Sequence, residues 1–190
     1  MLRIVRILTR VITMLAMTAG TATAVAEPYV AHTDLELRVG EDYLCGSCDP
    51  HRFRTTVQAL ADRLFPIRRI GGGVLEIGPY AKGALLDGGH LPQIAGGAMV
   101  GYRFDRYELL VNVGLAYATE GIGSPGYVDS NQTKTTYDLG LSLRYDIDQY
   151  YFSVGYKHNS NGEDFGLNFY GGGERNPGID GVFVGVGIRF

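Results

Sequence analysis

Alternation of apolar with small or polar side chains runs through the sequence from residue 72 to its end. A period of two is the repeat of a β-strand, in which successive side chains point to opposite faces. One run illustrates the pattern: its apolar face carries Tyr137, Leu139, Leu141, Leu143, Tyr145 and Ile147. Similar runs cover residues 75–85, 94–104, 109–117, 150–156 and 182–190. The sequence therefore predicts an all-β fold.

The length of these runs and the composition of their second face distinguish a water-soluble sandwich from a membrane barrel. Soluble strands average ~5–6 residues, whereas these runs match the ~9–11 residues of a tilted membrane strand. The second face mixes small residues with Asp, Glu, Lys and Arg, which the dry core of a soluble sandwich would not accommodate. In an outer-membrane barrel the apolar face contacts lipid and the other face fills the lumen. The pattern favours such a barrel, whose closure removes exposed strand edges.

The predicted connections alternate between short and long. Asp105-Arg106 and residues 146–149 are tight, whereas residues 121–134 and 161–179 are long and rich in Gly, Ser, Asn and Pro. This alternation is typical of outer-membrane barrels, which have short periplasmic turns and long external loops. The terminal Phe190 ends an alternating strand and resembles the C-terminal signal by which such barrels are recognised for assembly.

The first third of the chain has a weaker pattern. Leu35, Leu37 and Val39 alternate with charged residues and indicate a strand. Residues 55–65 have apolar side chains at near-helical spacing, and a helix competes with a strand there. We assign a second strand, followed by a turn at residues 66–72, because barrels have an even strand number and eight strands fit the length. The prediction is an eight-stranded antiparallel outer-membrane β-barrel.

The first 26 residues have the features of a signal peptide. Arg3, Arg6 and Arg10 precede a short apolar core at residues 11–17, and a small-x-small cleavage site at residues 24–26 follows. A transmembrane anchor is the alternative, but the apolar run falls short of the ~20 residues that a spanning helix needs. We therefore expect an exported barrel domain over residues 27–190, in the outer membrane of a Gram-negative bacterium.

Charge and cysteine content limit other functions. The net charge is -3 and no basic stripe is present, so a nucleic-acid partner is not expected. Cys45 and Cys48 are the two cysteines, and a local disulfide is the simplest interpretation for an exported chain. A redox motif would need a helix opening at the first cysteine. A metal site with His51 would lack an evident fourth ligand.

Three polar residues near the end of the chain have even sequence numbers, the same parity as the apolar residues of their strands, and so share the apolar faces. His158 and Ser160 continue the even-numbered apolar set of residues 152–156, and Asp180 precedes that of residues 182–188. His158 and Asp180 lie ten residues from a turn residue and from the terminus, respectively. Because the two strands are consecutive and antiparallel, we expect these residues at one height, ~26 Å up a tilted strand and facing lipid.

Polar groups on a lipid-facing wall need a reason, because an unpaired buried polar atom costs about 1–3 kcal/mol. A serine, a histidine and a carboxylate that bond one another form a nucleophilic constellation. The histidine takes the serine proton, and the acid orients the imidazole and stabilises its charged form. The alternative is a polar fringe where strands become loops, in which histidine and serine are ordinary.

The motif His-x-Ser-Asn-Gly at residues 158–162, with Arg-Asn-Pro-Gly-Ile-Asp at residues 175–180 and an aromatic-ended last strand, resembles the PagL-type lipid A 3-O-deacylases. The resemblance is strongest over residues 137–190 and weaker at residues 36–40 and 64–66. It implies an eight-stranded outer-membrane barrel that removes an ester-linked acyl chain from the lipid A of lipopolysaccharide. It also implies that no metal or diffusible cofactor takes part.

Residue by residue, the resemblance assigns His158 as the base, Ser160 as the nucleophile and Asp180 as the acid. Asn161 matches the oxyanion-site asparagine, and the backbone N–H of Gly162 is expected beside it. The sequence departs from the family in carrying aspartate rather than glutamate as the acid, and in a longer loop with three glycines at residues 171–173. Three other acids lack the strand register of Asp180: Glu163, Asp164 and Glu174.

Other functions stay open at this point. A non-catalytic barrel with a structural or surface-binding role fits the same scaffold, and phospholipid esters and a homodimer are further possibilities. A passive channel is disfavoured, because an eight-stranded barrel has an interior just filled by side chains. Large residues predicted to point inward are Tyr80, Met99, Arg103, Arg144 and Phe183.

Overall fold

The computed structural model describes residues 30–45, 53–86, 91–122, 133–160 and 178–190. Eight strands cover them: β1 His32–Cys45, β2 Phe53–Ile70, β3 Gly73–Leu86, β4 Leu91–Phe104, β5 Tyr107–Ile122, β6 Thr133–Ile147, β7 Tyr150–Ser160 and β8 Gly178–Arg189. Neighbouring strands are antiparallel, and β8 pairs with β1 to close the barrel. The predicted eight-stranded antiparallel barrel is thus confirmed. Within the described ranges, no helix is long and apolar enough to cross a membrane. The predicted signal peptide lies outside these ranges.

Two-residue turns join the strands at one end of the barrel, which we call the turn end. They begin at Gly71, Asp105 and Asp148, whose φ angles are 59°, 52° and 57°. The hairpin turns that match strand twist need a positive φ at this position, which glycine adopts freely and aspartate tolerates better than most residues. The opposite end is the loop end, where residues 123–132 and 161–177 connect strands. In outer-membrane barrels the end with the short turns faces the periplasm.

The outer wall is apolar and the lumen is largely polar. Along β8, Val182, Val184 and Val186 are exposed, while Phe183 between them is buried in the lumen. Aromatic rings form a belt on the wall at the turn end, with centroid separations of 5.2–5.7 Å along Tyr102, Phe104, Tyr107 and Tyr145. Such belts lie at the membrane–water interface in outer-membrane barrels.

The structure corrects the sequence prediction for β2. Residues 55–65 are strand, so the competing helix is wrong, and the predicted turn at residues 66–72 is wrong as well, since β2 continues to Ile70. The register shifts between Pro66 and Arg68. A bulge accommodates a proline, which cannot donate a ladder hydrogen bond. The turn is thus reduced to Gly71 and Gly72.

An apolar cluster occupies part of the lumen and explains the misleading spacing in β2. Leu60 and Leu64 are buried there with Tyr80, Met99 and Leu110. The apolar residues of β2 therefore lie on both faces of the strand, which imitates a helical period.

Large side chains fill the lumen, and glycines on neighbouring strands make room for them. A Cβ on Gly155 would lie 2.4 Å from the ring of Phe183, and one on Gly187 would lie 2.1 Å from the ring of Tyr151. Arg144 is fully buried and Phe183 is 3% exposed. This packing agrees with the expectation that the lumen is not an open channel.

Arg144 is the centre of the polar part of the lumen. Its guanidinium group lies 2.7 Å from Asp34, 2.9 Å from Glu36, 2.6 Å from Asp62 and 3.4 Å from Glu108. These carboxylates belong to β1, β2 and β5, so one side chain on β6 ties together strands from across the barrel.

We expect Arg144→Met to lower the free energy of unfolding by about 3–5 kcal/mol, because it leaves buried carboxylates without their cation. The measurement is urea-induced unfolding of the barrel refolded in lipid vesicles. Arg106→Met, in an exposed turn, is the matched control and should leave the midpoint unchanged. Equal midpoints for the two variants would show that Arg144 does not stabilise the fold.

Candidate active site

His158 and Asp180 lie directly opposite each other on β7 and β8. Nδ1 of His158 is 2.7 Å from Oδ1 of Asp180, and the side chains are 18% and 28% exposed. The residues on either side of His158, Lys157 and Asn159, are buried in the lumen. His158 and Asp180 are therefore level with each other on the outer wall, on the face that register alone indicated.

The contact fixes which nitrogen of His158 carries a proton in the neutral ring. An ionised carboxylate accepts hydrogen bonds and cannot donate one, so Nδ1 donates to Asp180. Nε2 is then the basic nitrogen of the imidazole. This is the tautomer that a histidine needs to take a proton from a hydroxyl group.

Tyr156 is a partner of the acid that the sequence analysis did not identify. Its hydroxyl group donates a hydrogen bond to Oδ1 of Asp180, the same oxygen that contacts His158. Tyr156 lies two residues before His158, so the two side chains leave the same face of β7. That shared parity was visible in the sequence, but tyrosine is so common on the outer face of such barrels that it gave no specific signal.

Ser160 is the last residue of β7, and its Cα is opposite Tyr137 of β6. From strand periodicity we expect it on the same wall as His158, ~6.7 Å further along. The contact between its hydroxyl group and His158 stays a prediction. The proposed oxyanion residues Asn161 and Gly162 lie outside the described residues, and so do the competing acids Glu163, Asp164 and Glu174.

Inward-facing side chains hold β7 at the position of His158. Nζ of Lys157 is 2.7 Å from Oδ1 of Asp42. Nδ2 of Asn159 donates to Oδ1 of Asp138 at 3.0 Å and to the backbone carbonyl of Tyr137 at 3.2 Å. Polar contacts in the lumen thus flank His158 on both sides and link its strand to β1 and β6.

Apolar side chains surround the pair on the wall. Leu139 of β6 is the partner of His158 on the other side of β7. Toward the turn end, Val154 and Val182 are exposed on the same wall. A carboxylate and an imidazole in such surroundings attract each other more strongly than in water, because the local dielectric constant is low.

Comparisons with protein-family models and with curated proteins find no match for this chain. Among solved structures, the chain is similar to the outer membrane enzyme PagL, with a TM-score of 0.59 and 15% identity over 82% of this chain and 98% of PagL. It is also similar to Ail, the attachment invasion locus protein of Yersinia pestis, in complex with the heparin analogue sucrose octasulfate. That TM-score is 0.52, with 9% identity over 85% of this chain and 100% of Ail. At these identities the likeness shows the fold.

The chain is thus an eight-stranded barrel of the outer-membrane type. It carries a hydrogen-bonded histidine and acid on its apolar outer wall, near the loop end. A hydroxyl nucleophile next to this pair would complete the chemical requirements for acyl transfer. Among the three proposed catalytic residues, the structure brings two together and places the backbone of the third.

Tyr156→Phe should lower turnover in the ester hydrolysis that the sequence resemblance implies by about 10-fold, because Asp180 loses a hydrogen bond that helps to orient it. The ring and its apolar contacts are retained, so KM should change little. Steady-state kinetics of the purified barrel would separate the two parameters. Tyr150→Phe, on the same wall at the turn end, is the control. A rise in KM with unchanged kcat would assign Tyr156 to substrate binding instead.

Proposed function

We propose that this chain is an outer-membrane serine esterase that removes the ester-linked 3-O-acyl chain from the lipid A of lipopolysaccharide. The observation that supports it most is the 2.7 Å contact between Nδ1 of His158 and Oδ1 of Asp180 on the outer wall. Ser160 follows two residues later on the same strand. The sequence resemblance over residues 137–190 and the fold shared with the outer membrane enzyme PagL add support.

In the proposed reaction, Oγ of Ser160 attacks the ester carbonyl while Nε2 of His158 accepts the serine proton. Asp180 stabilises the imidazolium ion that forms. His158 then gives the proton to the departing sugar hydroxyl, which leaves the acyl chain on Ser160. A water molecule, activated by His158, hydrolyses this acyl-enzyme and releases a free fatty acid. Asn161 and the backbone N–H of Gly162 are proposed to stabilise the oxyanion.

The position of the pair fits a lipid substrate. An apolar wall continues from His158 toward the middle of the barrel, where Val154, Val182 and Val184 are exposed. The acyl chain of a lipid can lie along this wall while its ester bond reaches the polar residues above. Lipid A occupies the outer leaflet, with its ester bonds just below the headgroups. The substrate can therefore approach sideways within the membrane and need not enter the lumen.

A non-catalytic surface barrel is the second candidate, and the likeness to Ail supports it at the level of the fold. Ail is described in complex with the heparin analogue sucrose octasulfate, so a barrel of this fold can bind a polyanion. The two candidates differ in the need for Ser160, which makes that residue the decisive one to change.

Cells that produce the protein should contain lipid A lacking one hydroxyacyl chain, and Ser160→Ala should abolish this change. Loss of the nucleophile is expected to lower turnover by at least ~10³-fold, since residual catalysis would come from binding and the oxyanion site alone. The measurement is mass spectrometry of lipid A, with phospholipids analysed from the same cells.

Thr55→Ala is the matched control, because it also removes a hydroxyl group from the exposed wall. Thr55 is near the loop end on β2, two strands from β8 and three from β7. Unchanged lipid A with folded wild-type protein would favour the non-catalytic barrel. Shortened phospholipids with intact lipid A would make the protein an esterase of another lipid.

The acid should be replaceable by its longer homologue but not by its amide. Asp180→Asn is expected to lower turnover by about 10⁴-fold, because the amide favours the wrong imidazole tautomer. Asp180→Glu should keep turnover within about 10-fold of wild type, since it keeps the carboxylate. Fatty-acid release from purified lipopolysaccharide measures both. Equal activity of Asp180→Asn and wild type would remove Asp180 from the mechanism.

A further inference from the structure

A second histidine is buried at the turn end of the lumen, far along the barrel from His158. His32 is the first residue of β1 and is 6% exposed. Neither of its ring nitrogens has a hydrogen-bond partner among the residues that the structure describes. A buried imidazole without such a partner is costly, so its surroundings should contain something that satisfies it.

Three carboxylates surround this imidazole. Nε2 of His32 lies 3.4 Å from Oδ2 of Asp34 and 3.7 Å from Oε1 of Glu108. On the other side of the ring, Nδ1 lies 3.9 Å from Oε1 of Glu76. These distances are too long or too poorly aligned for direct hydrogen bonds, although all four side chains are buried.

Two oxygens of this group are also without hydrogen-bond partners in the described part of the chain. They are Oε1 of Glu108 and Oε2 of Glu76, and both residues are fully buried. Arg189 and Arg144 contact the other oxygen of Glu108, which leaves Oε1 directed toward His32.

The charges of this part of the lumen do not balance. Among the described ion pairs here, six carboxylates face four guanidinium groups and the imidazole of His32, and they remain in excess even when that imidazole is protonated. The carboxylates are Asp34, Glu36, Asp62, Glu76, Glu108 and Asp146, and the cations are Arg38, Arg103, Arg144 and Arg189. Buried charges are paired or coordinate metals, so an excess of buried carboxylates favours binding of a further cation.

We infer that His32, Asp34 and Glu108 bind a divalent transition-metal ion such as Zn²⁺ inside the barrel at its turn end. Their donor atoms lie within 4.8 Å of one another. Ligands ~2.0–2.1 Å from a tetrahedral Zn²⁺ are separated by ~3.3–3.4 Å. The 3.4 and 3.7 Å separations from Nε2 of His32 are close to this spacing, so side-chain shifts would gather three protein ligands around the ion, with a water molecule as the fourth. Oδ2 of Asp34 also accepts hydrogen bonds from Arg144 and Arg189, so these two guanidinium groups would lie next to the ion.

Glu76 has a supporting role in this site. A metal-bound histidine usually donates its second ring N–H to a carboxylate, which fixes the tautomer and orients the ring. Glu76 is on the Nδ1 side of His32, opposite the proposed metal position. A small movement would convert the 3.9 Å separation into a hydrogen bond.

The donor set selects the type of ion. One imidazole nitrogen with carboxylate oxygens suits Zn²⁺ and similar transition metals, whereas Ca²⁺ and Mg²⁺ prefer shells made of oxygen. The ion would link β1 to β5 across the lumen and would stabilise the barrel. It lies at the opposite end from the proposed esterase site, so this inference is independent of that function.

The experiment is a calorimetric titration of the full-length, tag-free, metal-stripped barrel with ZnCl₂ at neutral pH. Cys45→Ser and Cys48→Ser are introduced together, so that the cysteines cannot bind the metal. We expect one equivalent of Zn²⁺ to bind, and the unfolding temperature to rise with Zn²⁺ but not with Ca²⁺.

Substitutions then locate the site. His32→Gln and Glu108→Gln should each weaken Zn²⁺ binding by at least about 100-fold, and Glu76→Gln by about 10-fold. The control is His158→Gln, the same change at another histidine–carboxylate pair, and it should leave the affinity unchanged.

Three results would overturn the inference: no saturable binding by the folded protein, stoichiometric binding that survives His32→Gln and Glu108→Gln, or equal stabilisation by Ca²⁺. If one of the two ligand variants fails to fold, the other variant still tests whether Zn²⁺ binds at this site. The rise in unfolding temperature of the unsubstituted barrel with Zn²⁺, and not with Ca²⁺, is a second test that needs no variant. Absence of binding would mean that His32 is held as an imidazolium ion by its carboxylates.

Discussion

Backbone pairing is the constraint on which the rest of this structure depends. Hydrocarbon offers no water to bond to an amide or a carbonyl group, so a strand that crosses a membrane needs a partner on both sides. In this chain β8 meets β1 over a ladder that runs from Arg189 and Asp34 to Gly178 and Cys45. Once the ring is closed, a slip of one residue would turn an apolar face into the lumen. The pairing of His158 with Asp180 is a consequence of that fixed register.

The lumen explains how an outward-facing site is held in place. Lys157 and Asn159 point inward on either side of His158 and are bonded to Asp42 and Asp138. A buried ion pair such as that of Lys157 with Asp42 contributes little net stability, because removing the charges from water is costly. The geometry of the two contacts nevertheless restricts the strand that carries them. Polar contacts inside the barrel therefore limit the movement of the His158 side chain on its outer wall.

Much of the fold could be predicted from the sequence, because a single rule governs it. Alternation indicates each strand and its faces, and the parity of His158 and Asp180 places both on the outer wall. The rule fails where both faces of a strand are apolar, as in β2, where Leu60 and Leu64 join a buried cluster. It also fails at Pro66, where the pattern predicts a turn. A bulge there lets β2 continue to pair with β3 up to Ile70.

Parity says which residues share a face, but it does not say which of them touch. The hydrogen bond from Tyr156 to Asp180 joins diagonal neighbours on adjacent strands and depends on their side-chain rotamers. A sequence pattern contains neither kind of information. The group around His32 is harder still, because its members come from β1, β3 and β5. Residues from separate strands meet in the lumen only when the barrel has closed, so their proximity follows from the diameter and tilt of the whole sheet.

The place of the candidate site along the wall bears on how a lipid could reach it. His158 and Asp180 face each other near the loop end of β7 and β8. Toward the turn end the wall beside them is apolar, with Val154 and Val182 exposed. An ester bond in a bilayer lies at the boundary between acyl chains and headgroups. A hydrogen-bonded imidazole at this height can meet an ester that stays in the membrane, which a site inside the filled lumen could not do.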